Sequence, residues 1–283
     1  MSNYLTYGHL ITPLHTGGSV QEGNLMGIAR EVHTEFPYLP ASSLRGKIRA
    51  ELGAIHPDEV DIFFGQKIKD GQQPTEGEVW FADATLLFFP IASLNHHLIW
   101  ITCPLWLERW NRWFKSAPLT KSLKIVRDSL VSGKSALVSF PTSELYLQTA
   151  LLKAAHLEQF DFPEISEIKP LFESSSLVWQ IQDRLVILGD EDCIALVDMG
   201  LQREVRVALE EESKKVKGGS FRAEEAIPPE TILFFPWGTK PEKEENQTTE
   251  IRKGIVDILK DRLQFGGLEG LGRGWTDLIT VEL

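Results

Sequence analysis

Cysteine is scarce in this chain of 283 residues, which contains only Cys103 and Cys193. The two are far apart and neither belongs to a Cys-x-x-Cys pair, so the sequence predicts neither a disulfide framework nor a cysteine zinc site. The histidines also lack the spacing of zinc ligands. Two unpaired thiols fit a reducing cytoplasm, which is the expected location.

Long hydrophobic runs are missing too. The most apolar stretches, Ala84–Ala92 and Leu98–Leu107, contain Pro90 and Pro104 and are shorter than the roughly 20 residues that a membrane-spanning helix needs. The N-terminal residues lack the basic start and apolar block of a signal peptide. We therefore expect a protein that does not bind or span a membrane.

Positive charge is in the minority, with 29 Lys and Arg against 40 Asp and Glu and a net charge of −11. This balance argues against a generic nucleic-acid coat, although phosphate binding requires only local basic density. Apolar side chains are plentiful: 8 Trp and 15 Phe provide material for a full core. Trp106, Trp110 and Trp113 follow helical spacing and are expected to be core residues.

The order of the predicted elements indicates an α+β fold. Alternating or continuous apolar residues predict strands, and apolar residues one turn apart predict helices. The predicted palm strands are Tyr4–Ile11, Gly77–Phe89, Thr231–Phe235 and Trp275–Leu283, and the predicted helices are Ser43–Ile55 and Thr248–Gln264. This is the βαββαβ order of a ferredoxin-like (RRM-like) palm.

A long insertion separates the second and third palm strands. The Trp stripe and a Leu/Ala run at Glu144–Leu157 predict a mainly helical part. Beyond it, Cys193–Val197 is interpreted as a strand, and Val205–Leu209 with Phe221–Ala226 as a protruding β-hairpin thumb. The predicted parts are residues 1–103 and 229–283 for the palm, 104–192 for the helical insertion and 193–228 for the thumb.

A short loop after the first strand is the first candidate binding site. His15 is followed by Gly17, Gly18 and Ser19. Adjacent glycines let the backbone approach a ligand closely, and a hydroxyl and an imidazole lie beside them. A plain turn with a surface histidine is the structural alternative.

The start of the first helix is the second candidate. Two hydroxyls, Ser42 and Ser43, precede three cations, Arg45, Lys47 and Arg49. A helix N-terminus with free N–H groups, hydroxyls and cations is suited to holding phosphates. A solvated basic face is the alternative, but local positive charge in an acidic chain favours phosphate contact.

The third candidate is the loop Phe265–Gly274, which contains five glycines. It is not a Walker loop because no Gly-Lys-Ser/Thr follows, and it leads from helix to strand, the reverse of a Rossmann fingerprint. A helix C-cap accounts for one or two of the glycines only. The remaining interpretation is a concave loop against an RNA backbone, with candidate contacts at Gly266, Gly267, Gly270, Gly272 and Arg273.

Taken together, these stretches resemble the RAMP superfamily of CRISPR proteins. The matching motifs in chain order are TPLHTGG, REVHTEFPYLPASSLRGKIR, FFGQ and GGLEGLGRGW, while REVRVALEEESKKVKGGSFRAEEAIPPET is similar to the thumb hairpin of that family. More narrowly, the chain resembles the guide-RNA-binding backbone subunit of type III-B (Cmr) effector complexes.

The resemblance implies a subunit that polymerises along a guide crRNA, grips the guide backbone with its palm and inserts the thumb between guide and target RNA. The implied partners are crRNA, target RNA, neighbouring copies and other type III effector subunits, with no cofactor required for guide binding. Arg30 and the thumb-tip residues Lys214, Lys215 and Lys217 thereby join the candidate RNA contacts. A solvated hairpin tip is the alternative for the lysines, because the acidic run Glu210–Glu212 precedes them.

One departure from the family pattern concerns cleavage. Family members carry an aspartate for metal-dependent endoribonuclease activity in a pattern like Val-Asp-x-Pro-Ile-x-Arg-Glu, and Leu25 falls on that aspartate here. Leucine neither ligates a divalent metal (Mg or Mn) nor orients a 2′-hydroxyl. Glu22 is the remaining catalytic candidate. Two alternatives stay open: a target nuclease that uses Glu22, and a free-standing guide-processing endoribonuclease with His15 as general acid or base.

Overall fold

The computed structural model describes residues 3–18, 21–22, 25–58, 60–66, 75–148, 150–163, 181–240 and 245–283. Its strands are β1 (Asn3–Leu10), β2 (Gln21–Glu22), β3 (Leu25–Met26), β4 (Val79–Phe81), β5 (Thr85–Ser93), β6 (His97–Thr102), β7 (Ala136–Val138), β8 (Glu144–Leu147), β9 (Ala150–Lys153), β10 (Leu157–Gln159), β11 (Leu185–Leu188), β12 (Gln202–Arg206), β13 (Arg222–Ala226), β14 (Ile232–Thr239), β15 (Arg262–Gln264) and β16 (Trp275–Glu282). Its helices are α1 (Ala41–Ile55), α2 (Val60–Phe64), α3 (Pro104–Phe114), α4 (Ala117–Val131), α5 (Asp190–Gly200) and α6 (Glu245–Ile258).

A ten-stranded sheet runs through the molecule in the order β10-β7-β11-β6-β5-β14-β1-β16-β15, with β4 pairing β14. Strand β1 lies antiparallel between β14 and β16, so that Tyr7 is opposite both Phe234 and Ile279. Side chains alternate between the two faces of a strand. One core cluster accordingly contains Leu10 with Ile48 of α1, and the other contains Tyr7 with residues of α3 and α4.

The predicted palm strands and helices are present with shifted ends. Helix α1 begins at Ala41, directly after Pro40, rather than at Ser43. The strand predicted over Gly77–Phe89 is divided into β4 and β5, because Ala84 turns aside to exchange backbone hydrogen bonds with Leu39. The last predicted helix ends at Ile258, and the residues after it form strand β15.

The helical prediction for Glu144–Leu157 is wrong. This segment forms β8, β9 and, after a 3-10 turn, the start of β10. Leu145 and Leu147 are buried while Glu144 and Tyr146 are not, which is the two-residue period of a strand. Strands β7, β10 and β11 of the same insertion extend the large sheet.

The strand interpretation of Cys193–Val197 is also wrong, because these residues lie in helix α5. Cys193, Leu196 and Val197 are the buried residues of that helix and follow helical spacing. Three acidic residues occupy its first turn, where they stabilise the positive end of the helix dipole. Both cysteines are buried free thiols, and burial raises the pKa of Cys193 well above its usual range.

The Trp stripe packs inward, as predicted. Trp106 and Trp110 of α3 are fully buried, and Trp113 contacts Trp80. Among the helices within the described ranges, none is both long and apolar enough to cross a membrane. These helices cover the sheet and position the loops that form the candidate site.

Candidate nucleic-acid interface

A small four-stranded sheet connects the predicted thumb to the loop after β1. Its order is β12-β13-β3-β2, in which β12 and β13 form an antiparallel hairpin. Strand β3 runs parallel to β13, with Leu25 opposite Ala223 and Met26 opposite Glu224. The segment that carries Leu25 is therefore fixed against the thumb strand by backbone pairing.

Glu225 lies on one face of β13 with a side chain only 3% exposed. It accepts hydrogen bonds from Arg30 Nη2 at 3.1 and 3.2 Å and from Arg203 Nε at 3.1 Å. Asp198 of α5 accepts from the same two guanidinium groups at 2.9 and 3.2 Å. Burial opposes the charge of Arg203, but the two carboxylates outweigh it and raise the pKa of this side chain.

Glu224 lies on the opposite face of the same strand and is equally buried. Its Oε2 atom is 2.9 Å from Arg206 Nε and 3.8 Å from Arg273 Nη2, without a well-aligned hydrogen bond to Arg206. Glu204 on β12 accepts from Arg273 at 2.8 Å and from Arg206 at 3.3 Å. One strand thus carries two adjacent buried carboxylates, each neutralised by two arginines.

The glycine-rich loop packs on the other side of this junction through His15. The Nδ1 atom of His15 is 2.8 Å from the carbonyl oxygen of Glu225, and the N–H of Gly267 donates to the His15 carbonyl at 2.8 Å. His15 is only 4% exposed. His15 therefore connects β13, through its ring, with the glycine loop, through its carbonyl oxygen, and is not a surface histidine.

Glycine is required for different structural reasons at different positions of this loop. Gly266 and Gly274 have φ angles of +80° and +83°, and an added Cβ would lie 2.3 Å from the His15 carbonyl oxygen and 1.8 Å from the Phe265 carbonyl oxygen, respectively. Gly270 has neither a positive φ nor any atom within 4 Å of an added Cβ. Packing within the chain therefore does not explain the glycine at position 270. Close approach of a ligand to the backbone would explain it.

The loop after β1 shows a similar close approach. The N–H of Gly18 donates to Gly27 O at 2.9 Å, and a Cβ on Gly18 would lie 2.8 Å from the same oxygen. Gly17 adopts a φ of +67° in open space. The neighbouring candidate Ser19 lies outside the described residues. Only the backbone of Glu22 is described, and it pairs with Leu25 across the β2–β3 hairpin.

The three cations of α1 each have a protein partner, whereas the sequence predicts that they contact phosphates. Arg45 donates to the carbonyl oxygens of Val79 at 2.6 Å and Phe64 at 2.8 Å. Burial lowers the pKa of Arg45, and the nearby positive charge of Arg49 lowers it further. Lys47 pairs with Glu51 at 2.8 Å, and Arg49 pairs with Asp61 at 2.6 Å. These three side chains therefore contact other parts of the fold around α1.

The N-terminus of α1 is partly occupied as well. The N–H of Ala41 donates to Asp83 Oδ1 at 2.7 Å, so a carboxylate already contacts the positive end of the helix. Ser42 is exposed and Ser43 is half-buried. Their hydroxyl groups remain the predicted contacts at this end of the helix.

A groove of about 710 Å³ opens between the thumb base and the loop after β3. Leu25, Arg30, Tyr38, Asp198 and Arg203 line it. Leu25 offers no ligand atom, and the groove carboxylates of Glu31, Asp198 and Glu225 already bind arginines, which leaves only that of Glu35 among the described lining residues. Within the described part of the chain, no cluster of three or more His, Cys, Asp or Glu side chains is arranged to hold a metal. These residues do not fit a divalent cation.

The outer part of the hairpin is exposed. Lys214, Lys215 and Lys217 occupy its tip, and no described acidic side chain lies within ion-pairing distance of them. Phe221 on the hairpin and Trp275 after the glycine loop are 54% and 39% exposed. Exposed aromatic side chains are candidate surfaces on which bases stack. The sequence analysis did not identify these two, although their positions close to glycines in predicted loops could have indicated exposure.

The comparisons with known proteins agree over the whole chain. A model of the RAMP superfamily matches residues 9–277. The CRISPR system Cmr endoribonuclease Cmr4 of Pyrococcus furiosus is 26% identical, covering 100% of this chain and 97% of that protein.

Solved structures show the same fold. A crystal structure of oligomeric Cmr4 from Pyrococcus furiosus is 22% identical with a TM-score of 0.69, covering 100% of this chain and 99% of that one. A cryo-EM structure of type III-B Cmr-beta bound to cognate target RNA is 22% identical with a TM-score of 0.73, covering 98% and 96% of the two chains.

The buried charge cluster predicts that Glu225→Gln loosens the thumb. The substitution leaves Arg30 and Arg203 without their shared buried partner, and we expect a loss of about 1–3 kcal/mol in the free energy of unfolding. Trypsin should then cut faster after Lys214 and Lys215. The matched control is Glu211→Gln on the exposed thumb tip. Equal melting temperatures and equal cleavage rates for the two variants would contradict the prediction.

Two glycines of one loop provide a second prediction. Gly274→Ala places a Cβ against the Phe265 carbonyl in a left-handed backbone, and we expect a loss of about 1–3 kcal/mol in stability. Gly270→Ala meets open space and should leave the melting temperature unchanged. Thermal unfolding of both variants measures the difference. A destabilised Gly270→Ala variant would show that the loop is packed differently.

Proposed function

The chain belongs to the RAMP superfamily, and we propose that it is the crRNA-binding backbone subunit of a type III-B-like CRISPR effector complex. The observation that carries this proposal is the convergence of the groove, the glycine loop and the thumb strand on Glu224 and Glu225. The full-length similarity to Cmr4 of Pyrococcus furiosus supports it. Its partners are guide crRNA, target RNA, neighbouring copies and other effector subunits.

In this proposal, the strands β5-β14-β1-β16 with α1 and α6 form a ferredoxin-like palm. Counted along the palm sequence they are the second, third, first and fourth strands, which is the antiparallel order of that fold. The hairpin β12–β13 is the thumb, within the predicted range 193–228. Its base is fixed to the palm by ion pairs, while its tip projects into solvent.

Guide binding in this proposal uses the exposed polar groups beside the groove. Backbone amides around Gly270, the hydroxyls at the start of α1 and the thumb-tip lysines contact phosphates without reading bases. Arg273 is buried and paired with Glu204, so it positions the glycine loop. A holder built from backbone groups and lysines accepts any guide sequence, as an RNA filament requires.

We propose that this subunit holds target RNA without cutting it. Leu25 occupies the position where the family carries its aspartate, and the groove carboxylates of Asp198 and Glu225 are committed to arginines. A guide-processing role for His15 finds no support, because the ring is buried against the Glu225 carbonyl. A subunit without cleavage presents the target to its neighbours in the complex.

Recovery of bound RNA tests the proposed function. We expect the tagged chain, purified from its native host through a moderate-salt wash, to retain CRISPR-derived guides of discrete lengths. Sequencing of the retained RNA measures this. A monomeric protein that carries no RNA would refute guide binding and assign the glycine loop a purely structural role.

The alternative of a target nuclease rests on the pairing of Glu22 with Leu25 in the β2–β3 hairpin. We expect the guide-loaded complex to leave labelled target RNA intact at this subunit with Mg²⁺ or Mn²⁺ present, because leucine cannot ligate the ion. Glu22→Ala is the matched variant. Cleavage by the wild type that is lost both in Glu22→Ala and on chelation would establish the nuclease instead.

A further inference from the structure

One helical segment of the chain has a clear excess of positive over negative residues. Residues 104–135, which form α3, α4 and their flanks, contain seven Lys and Arg and two Asp and Glu. The other 251 residues contain 22 Lys and Arg against 38 Asp and Glu. A helical pair with an excess of five positive charges thus lies on an otherwise strongly acidic protein. This segregation favours an anionic partner for the pair.

The outer surface of α3 and α4 presents these charges to solvent. A groove of about 520 Å³ runs between the helices, and Arg112 and Lys124 lie on its two sides. Both are exposed, and no described carboxylate lies within ion-pairing distance of either. Arg127 pairs with Glu108 at 2.6 Å and is therefore committed. We call Arg112, Lys124 and the adjacent exposed Lys115 and Lys121 the basic face.

The basic face adjoins the groove that contains Leu25. Arg109 of α3 donates to both carboxylate oxygens of Glu31, at 2.6 and 2.9 Å. Glu31 lines the Leu25 groove, and Glu108, the neighbour of Arg109, lines the groove between α3 and α4. The Arg109–Glu31 pair therefore joins α3 to the wall of the Leu25 groove, and Arg112 lies one turn along α3 from Arg109.

The composition of the face favours a polyanion over a folded protein. Protein interfaces are enriched in aromatic residues and depleted in lysine at their cores. Here the aromatic residues Trp106 and Trp110 are buried inward, and lysine and arginine face outward. Long, solvated cations at one-turn spacing suit a phosphodiester backbone, which binds through charge rather than shape.

We propose that the basic face binds the phosphodiester backbone of RNA, as a second contact surface outside the palm and thumb. This inference rests on the proposed function, since the RNA is the guide or the target that the subunit holds. The contact is independent of base sequence. It supplies uncommitted positive charge, whereas Arg45, Lys47 and Arg49 of α1 already have protein partners.

The test compares two double variants with the same change in charge, each assembled with guide RNA. Arg112→Glu/Lys124→Glu reverses the basic face, and Lys253→Glu/Lys260→Glu reverses two exposed lysines on and just after α6. One arm measures guide retained per chain across a salt series, and the other measures the affinity for labelled complementary RNA across the same series. Melting temperatures establish that both variants fold.

We expect the salt dependence of RNA binding to decrease only in the basic-face variant. Loss of two phosphate contacts lowers the slope of log affinity against log salt by about 1.4–1.8. A change in guide retention assigns the contact to the guide, and a change confined to the second arm assigns it to the target.

Unchanged slopes in both arms would overturn the proposal. So would a basic-face variant that keeps its slopes but loses neighbouring subunits, since the face would then bind protein. A wild-type complex that holds no guide would refute the proposed function itself, and this outcome is recognised before any variant is compared.

Discussion

Two carboxylates buried on consecutive residues of one strand are the constraint on which the candidate site depends. Glu224 and Glu225 face opposite sides of β13, and each would be costly to bury without a partner. The cations arrive from three separate segments: Arg30 from the loop after β3, Arg203 and Arg206 from β12, and Arg273 from the glycine loop. Because these segments converge on β13, ion pairs fix the β12–β13 hairpin against the loop after β3 and the glycine-rich loop.

This arrangement explains why several motif residues face inward. Arg30 and Glu31 belong to the motif that carries the family resemblance, and they bond to Glu225 and Arg109. Arg273 of the Gly-Arg-Gly turn bonds to Glu204. These side chains build the frame around the groove. In the proposed function, RNA therefore contacts backbone groups, hydroxyls and the uncommitted lysines and arginines outside this frame.

Local patterns in the sequence predict the frame of the fold well. Helix α1 and strands β1 and β16 follow from periodicity within a few residues, since burial on one face dictates the spacing. The prediction for Glu144–Leu157 fails because its leucines fit both a helical and a strand period, and pairing decides between them: β8 pairs with β9, and β10 pairs with β7. The strand prediction for Cys193–Val197 is the opposite error, a helix taken for a strand. The acidic first turn and the buried residues at positions i, i+3 and i+4 indicate a helix.

The partners of charged side chains could not be predicted in the same way. His15 meets the backbone carbonyl of Glu225 across 210 positions of sequence, and Arg273 meets the Glu204 carboxylate across 69. No local pattern distinguishes a cation with a distant carboxylate partner from a free one, which is why the sequence predicts phosphate contacts for the cations of α1. The excess of cations over acids in residues 104–135 was visible in the sequence, but only the structure shows that Arg112 and Lys124 are exposed there.

Lysine footprinting of the guide-loaded complex tests the central claim that RNA is held by cations outside the buried frame. Acetylation rates measured by mass spectrometry before and after RNA removal compare each lysine with itself. The account predicts that RNA protects Lys124 and Lys214, while Lys47 and Lys253 react equally in both states. Protection of Lys47 with no change at Lys124 and Lys214 would contradict it and return the RNA to the start of α1.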